Sequence, residues 1–428
     1  MASYTGSRLI GLIFVVAGKV LGQGALLVCG VVVARTAEPK EFAFYSTALT
    51  LVLLTDACLG SPIDFAITRF TALHDEDIDR TDPLHAAAFR SKLLFGVCLA
   101  LGASAFSRPA AQILMQNESR ADLIWIAVVF TSILLLNRSV ATYLQSRSRF
   151  GLYSLLDAVQ GALRAAVVAS LAFTGAKTAA AYLSGLVVAA AALLMMSFQI
   201  ISKPYLAAKW PDRRDALGTF RFLTATMGVI VLGTLSGRTD LLFLAHAVRP
   251  DEVARYAAAG QIAWAASLIA GYVSVVAQPL LIPAARTGQL PRLLAESTAL
   301  AAMGGITLLT VVWLYGDVVM HHVFGTAFEE GWPMLRILTV GTCIDLLCMP
   351  VAMTFVLQFR PRSALVGELL ITAAYLVMAL PISHYGPVAM AWLVTGVRAA
   401  KGLLYVGVTA NIVMSGPSTD ELSGTIED

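Results

Sequence analysis

Ionisable side chains stand where the chain is otherwise apolar: Lys19, Asp56, Asp157, Arg164, Arg238, Asp240, Arg336, Asp345, Glu368, Arg398 and Lys401. Their surroundings read as hydrocarbon-spanning segments, and a charge near the centre of such a helix costs about 2.5–3.5 kcal/mol. Facing lipid, Lys19, Arg164, Arg398 and Lys401 would together cost roughly 10–14 kcal/mol, comparable to the whole stability of a domain. They must therefore face counter-charges or a wet interior. Asp157 and Arg164, seven apart, share a helix face and can pair with each other, and Arg336 lies near a span end from which it can snorkel. Arg398 and Lys401 are three apart, so they share a face, and no acid stands in their own span. Two unneutralised cations on one buried face suit an anionic ligand. With Lys19, Arg164 and Arg238 they form the candidate substrate-binding set. Asp56, Asp240 and Asp345 are candidates for coupling to Na+ or H+, because carboxylate oxygens suit small cations and can carry a proton; ion pairing is the alternative for each.

The elements that must position these groups are membrane helices. Of 428 residues, 58% are hydrophobic and only 13% charged, about half the charge of soluble domains. Apolar runs of about 20 residues number roughly twelve, the first near 10–33 and the last near 387–412. The connections are short, the longest being expected around 69–88 and 201–219, far below the ~50 residues of a separate domain. Lys and Arg gather in alternate loops, among them Arg69, Arg80, Arg90 and Lys92, then Arg147 and Arg149, then Lys203 to Arg214. The positive-inside rule makes those loops and both termini cytoplasmic.

The chain is a duplication. Ala34–Tyr45, ARTAEPKEFAFY, recurs 211 residues later as Ala245–Tyr256, AHAVRPDEVARY, and the same offset aligns Val20-Leu21-Gly22 with Val231-Leu232-Gly233. In each copy a proline, Pro39 or Pro250, suits the first turn of a new helix, and Glu41 or Glu252 follows at its positive end. Six spans per copy start both copies on the same side, so the repeats are parallel. The expected division is an N-terminal lobe over 1–215, a C-terminal lobe over 216–414 and a disordered tail over 415–428. Glycines thin the first span of each copy, at 18, 22, 24 and 30 and at 228, 233 and 237, serving either bending or close packing. Pro279 and Pro283 close span eight, and Pro350 is expected to interrupt span ten.

Several apparent chemical signals are discounted. The acidic run His74-Asp75-Glu76-Asp77-Ile78-Asp79 imitates transferase motifs, but a short loop cannot supply a nucleotide-sugar fold. Asn117 and Asn137 head formal glycosylation sequons, the second inside a span. The five cysteines (Cys29, Cys58, Cys98, Cys343, Cys348) lie within spans without metal-site or disulfide spacing. The net charge of +3 follows the topological bias and gives no basic patch for nucleic acid. No cofactor motif is present, and the chain is expected not to be an enzyme.

The repeated motif ending in Tyr45 and Tyr256 is joined by Gly237-Arg238-Thr239-Asp240, by Val323-Phe324-Gly325 leading through Gly331 to Leu335-Arg336-Ile337-Leu338, and by Tyr385-Gly386-Pro387-Val388-Ala389-Met390-Ala391. Ala389 stands where the related pattern has glycine. With these features the chain resembles the polysaccharide transporter branch of the multidrug/oligosaccharidyl-lipid/polysaccharide (MOP) exporter superfamily, the Wzx-type flippases. The resemblance implies an all-α integral membrane fold of about 12 transmembrane helices, two six-helix repeats around a central cavity, as in MATE proteins. It implies an undecaprenyl-diphosphate-linked oligosaccharide as cargo in the bacterial inner membrane, moved by alternating access for O-antigen, capsule or exopolysaccharide synthesis. A polysaccharide polymerase and glycosyltransferases would be its partners, and Na+, H+ or the membrane potential its drive. A cation-coupled multidrug antiporter of the same fold is the alternative; a membrane-embedded polymerase or ligase would need a large periplasmic loop.

Overall fold

The computed structural model describes residues 2–73, 78–147, 149–200, 210–265, 289–357 and 361–415. These are helical almost throughout, with no strand among them. The first half contains α1 (Ala2–Thr36), α2 (Pro39–Leu59), α3 (Ser61–Leu73), α4 (Ile78–Met115), α5 (Ala121–Ser146), α6 (Phe150–Phe173) and α7 (Ala179–Ile200). The second contains α8 (Arg213–Arg238), α9 (Asp240–Ala247), α10 (250–265), α11 (Leu290–Phe324), α12 (Trp332–Leu357), α13 (Pro361–Ser383) and α14 (Pro387–Ser415). Among the described residues nine stretches are long and apolar enough to cross a bilayer, and the apolar stretch Val20–Thr36 adds a shorter one. This is a multi-pass membrane protein. Its outer surface is correspondingly greasy: Leu101, Phe106, Ile306, Leu370 and Val377 are all exposed, whereas Lys92 and Glu368 are completely buried. Lipid rather than water is the solvent such a surface fits.

The same neighbour relations recur in the two halves. In the first, α1 packs on α6, α4 on α5, and both α5 and α6 on α7. In the second, α8 packs on α13, α11 on α12, and both α12 and α13 on α14. The start of each second span is set as its proline suggests: Pro39 occupies the first turn of α2 behind an extended Glu38. Glu41 does more than meet its own helix end. Its Oε2 accepts the Ala179 N–H at 2.8 Å, at the start of α7, and its Oε1 pairs with Arg120. One carboxylate thus ties three segments through an otherwise orphaned helix N-terminus.

Glycine in α1 serves close packing. A Cβ at Gly18 would lie 2.3 Å from Ser154 Oγ, one at Gly22 2.8 Å from the Asp157 carbonyl oxygen, and one at Gly161 2.9 Å from the Gly22 Cα. The α1–α6 seam therefore brings backbone against backbone.

Three sequence expectations are corrected. The long connection around 69–88 is mostly helix: α3 runs to Leu73 and α4 starts at Ile78, so polar residues extend spans rather than forming a loop. Lys92, counted among the loop cations, lies within α4, fully buried against Asp64, because a neighbouring span supplies its counter-charge. Pro350 sits inside a continuous α12. Breaks occur instead at Gly60, between α2 and α3, and at Thr239, between α8 and α9. The acidic residues 74–77, the positive loop 201–209, the course of span eight beyond 265 with Pro279 and Pro283, and the tail from 416 lie outside the described residues.

Candidate functional site

Where the two halves meet, a cavity of about 160 Å³ is walled by Leu26 and Leu27 of α1, Ser46, Leu49, Thr50 and Leu53 of α2, and Gly237, Arg238, Asp240 and Leu241 around the α8–α9 break. Helix α10 adds Tyr256, Gln261 and Trp264, and Arg398 reaches in from α14. Helix α8 ends at Arg238 and α9 starts at Asp240, with Thr239 between them bonded to the turns on both sides, and both flanking residues line the cavity. Thr239 closes its own backbone by donating to the Leu235 carbonyl at 2.7 Å.

Arg238 has its guanidinium 5.4 Å from the Trp264 ring centroid and forms no ion pair among the described residues. Asp240 accepts the Tyr256 hydroxyl at 2.5 Å, and it too lacks an ion pair among the described residues. Arg398 donates from Nη1 to Thr342 Oγ1 at 2.9 Å, and its Nε lies 3.3 Å from Asp345 Oδ2. Two guanidinium groups and one carboxylate thus line the cavity. The cavity volume lies below the 300–1,000 Å³ usual for drug-sized ligands.

The other candidates are distributed differently. Lys401 does not line the cavity. It pairs at 2.9 Å with Glu368 of α13, whose side chain is 1% exposed and whose Oε1 also accepts the Tyr405 hydroxyl. The reading of Arg398 and Lys401 as unneutralised is therefore corrected: each meets an acid from a different span, a relation that spacing within α14 cannot reveal. Arg164 is buried away from the cavity, in the electrostatic vicinity of Cys29, Tyr45 and Asp157, with its Nε lacking a hydrogen-bond partner. Lys19 lies on α1, and its side chain is outside the described residues. Asp56 takes the ion-pairing alternative, 2.8 Å from Arg138 Nη1. Asp345 pairs with Arg398. Arg336 donates to the Trp313 carbonyl at 2.6 Å and stacks 4.2 Å from the Trp332 ring centroid.

Sequence reasoning missed Arg138 and Asp64. Arg138 bridges Asp56 and, at 3.3 Å, Asp64, which also holds Lys92, giving a four-charge group with no net charge across α2, α3, α4 and α5. The available signal was Arg138 itself, mid-span and flanked by Asn137 and Ser139. Asn137 is buried and donates to the Ala190 carbonyl at 2.9 Å, so the second sequon is interior.

The fold is shared with solved transporters. A multidrug resistance MATE transporter of the MOP superfamily in an inward-facing conformation aligns with a TM-score of 0.75 at 13% identity, over 93% of this chain and 96% of that one. An outward-facing conformation of a multidrug resistance MATE transporter of the same superfamily gives 0.70 at 12% identity, over 95% and 96%. The lipid II flippase MurJ, in an inward closed conformation, aligns at 0.75 with 11% identity over 97% and 89%. No curated protein sequence matches the chain. The class is thus a helical multi-pass membrane protein with the MOP fold. Residues 9–284 match the family described as Polysaccharide biosynthesis protein, and the chain belongs to that family.

Proposed function

We propose that the chain is a flippase for a lipid-linked oligosaccharide, moving an undecaprenyl-diphosphate glycan across the bacterial inner membrane by alternating access, with both termini cytoplasmic. The two halves, 1–215 and 216–414, act as lobes that part around the cargo. The observation that carries this reading is the meeting of Arg238 and Arg398 on one cavity between the halves, with Arg238 free of any ion pair among the described residues. A diphosphate stripped of water needs charge-assisted donors, and guanidinium groups supply them in the planar pairs that phosphate oxygens accept. The glycan follows through the opened space while the polyprenyl chain stays in lipid. Membership of a polysaccharide biosynthesis family supports the cargo class, as does the fold shared with a protein described as a lipid II flippase. The glycan would feed O-antigen, capsule or exopolysaccharide assembly by a polymerase, after glycosyltransferases have built it.

Asp240 supports a second reading. A carboxylate with no ion pair among the described residues, lining the same cavity as Trp264, would also suit a cationic drug exchanged for Na+ or H+, as in a multidrug antiporter. In the flippase the same carboxylate couples cation entry to the cycle; one charge crossing the membrane contributes about 2.3 kcal/mol per 100 mV.

The readings separate in proteoliposomes carrying a fluorescent undecaprenyl-diphosphate oligosaccharide. Arg238→Ala and Arg398→Ala should each slow its translocation at least about tenfold, as expected when a charge-assisted hydrogen bond is lost. Undiminished translocation in both variants, or efflux of a lipophilic cation that survives both but not Asp240→Asn, overturns the flippase in favour of the antiporter.

A further inference from the structure

At one end of the molecule, side chains of each half cap the C-terminal carbonyls of helices in the other. Arg35, at the end of α1, donates from Nε to the Val323 carbonyl at 2.8 Å and from Nη2 to the His322 carbonyl, both in the last turn of α11. Adding the 211-residue offset to Arg35 gives His246, at the end of α9. His246 Nδ1 donates to the Ile113 carbonyl at 3.0 Å, in the last turn of α4. The first span of each copy thus reaches the end of the third span of the other copy, a pseudo-two-fold pair of contacts. Gln116 completes the second of them. Its Nε2 donates to the carbonyls of Ala245, His246 and Val248, at 3.1, 2.8 and 3.2 Å, across the end of α9.

These carbonyls have no partner within their own helices and carry the negative end of the helix dipole, so a donor from elsewhere is worth most there. The backbone at Gln116 underlines the point. With φ of 53°, it is the one non-glycine among the described residues in the left-handed region, a conformation held only where surrounding contacts over-determine it. Phe42 of α2 closes the same end by packing on Phe324 and Phe328, with ring centroids 6.3 and 5.3 Å away, all three buried. At the other end the halves meet through Phe65 stacked on Phe222 and the Arg69 guanidinium 4.1 Å from the Phe222 ring.

We propose that Arg35, His246 and Gln116 are a paired latch that holds the cavity shut on the face where α1, α4, α9 and α11 end, and that releasing these cross-half caps is the step that opens it there. A carbonyl end either keeps its donor or is rehydrated, so the latch has two discrete states, as a switch requires.

The test needs no cargo, so its outcome is independent of the flippase reading. In the full-length chain with its five cysteines replaced, Ser46→Cys places a thiol in the cavity wall, and a membrane-impermeant maleimide is applied to vesicles of each orientation. Arg35→Ala and Gln116→Glu, the latter turning a donor into an acceptor of equal size, should each raise labelling from the latch face roughly tenfold and lower it from the other. Arg35→Lys, which keeps one donor, should fall between, and Phe65→Ala should change labelling in the opposite sense. Unchanged latch-face labelling in Arg35→Ala and Gln116→Glu overturns the proposal. So does a rise that is equal from both faces, which marks general loosening of the fold.

Discussion

Cys29 and Tyr45 in the first copy occupy the places of Asp240 and Tyr256 in the second, by the same 211-residue offset. The two tyrosines are both buried, yet Tyr256 donates to Asp240 whereas the Tyr45 hydroxyl has no hydrogen-bond partner among the described residues. The helices differ in the same sense: α1 runs unbroken to Thr36, while its counterpart stops at Arg238 and resumes at Asp240. A shared scaffold thus carries charge at the cavity in one copy only. The first copy holds Asp56, Asp64, Lys92 and Arg138 in a neutral group of four, and its buried Arg164 does not line the cavity. On a common frame, differences at a few positions leave one half without charge at the cavity and give the other half three charged residues there.

The largest effect that would sharpen this contrast comes from breaking the first-half group. Arg138→Ala leaves Asp56 and Asp64 without one of their cations and should cost about 3–5 kcal/mol, the usual penalty for stranding a buried charge. Unfolding in detergent would register it, and a cost under about 1 kcal/mol would dissolve the distinction between the halves. Lys401→Ala strands Glu368 and should cost somewhat less, because Tyr405 still donates to it; pairing it with Glu368→Gln should recover most of the loss. Exchanging the diverged positions comes next. Asp240→Asn should leave stability within about 1 kcal/mol while changing the ion dependence of transport. Cys29→Asp should be tolerated to a similar degree, since Tyr45 and Arg164 lie ready to answer the new carboxylate. A Cys29→Asp chain that fails to fold would mean the first copy has lost the second copy's design altogether. Thr239→Ala, removing the hydroxyl bonds to the Leu235 carbonyl and to Tyr375, should shift stability by only ~1 kcal/mol, and a change in labelling of the cavity would be the more sensitive readout.

How much of this was legible beforehand follows from the range of each interaction. The apolar runs and the 211-residue repeat are local and periodic, and they foretold both the membrane helices and two halves of similar build, but not which helices pack together. The same scanning found Arg238, Asp240 and Arg398, which the structure brings to one cavity. It misjudged Lys401 and Lys92 because their acids, Glu368 and Asp64, lie tens of residues away on other spans. A window along one helix contains no information about such partners. Arg138 was overlooked for a related reason: among apolar neighbours and inside an apparent sequon, it gave no hint that two carboxylates of other helices converge on it. The break at Thr239 was hidden as well, since no proline marks it and the flanking residues meet the chain's general pattern for a continuous span.

The glycine seam of α1 and α6 fixes what can travel. Two rods joined backbone to backbone along Gly18, Gly22 and Gly161 have no side-chain cushion on which to slide, so they must swing as a single plank. The partner seam of α8 and α13 touches closely at Gly228 against Leu365, while Gly237 borders open space. The α1–α6 plank accordingly moves as one body, and the looser surroundings of Gly237 leave room for bending at the end of α8.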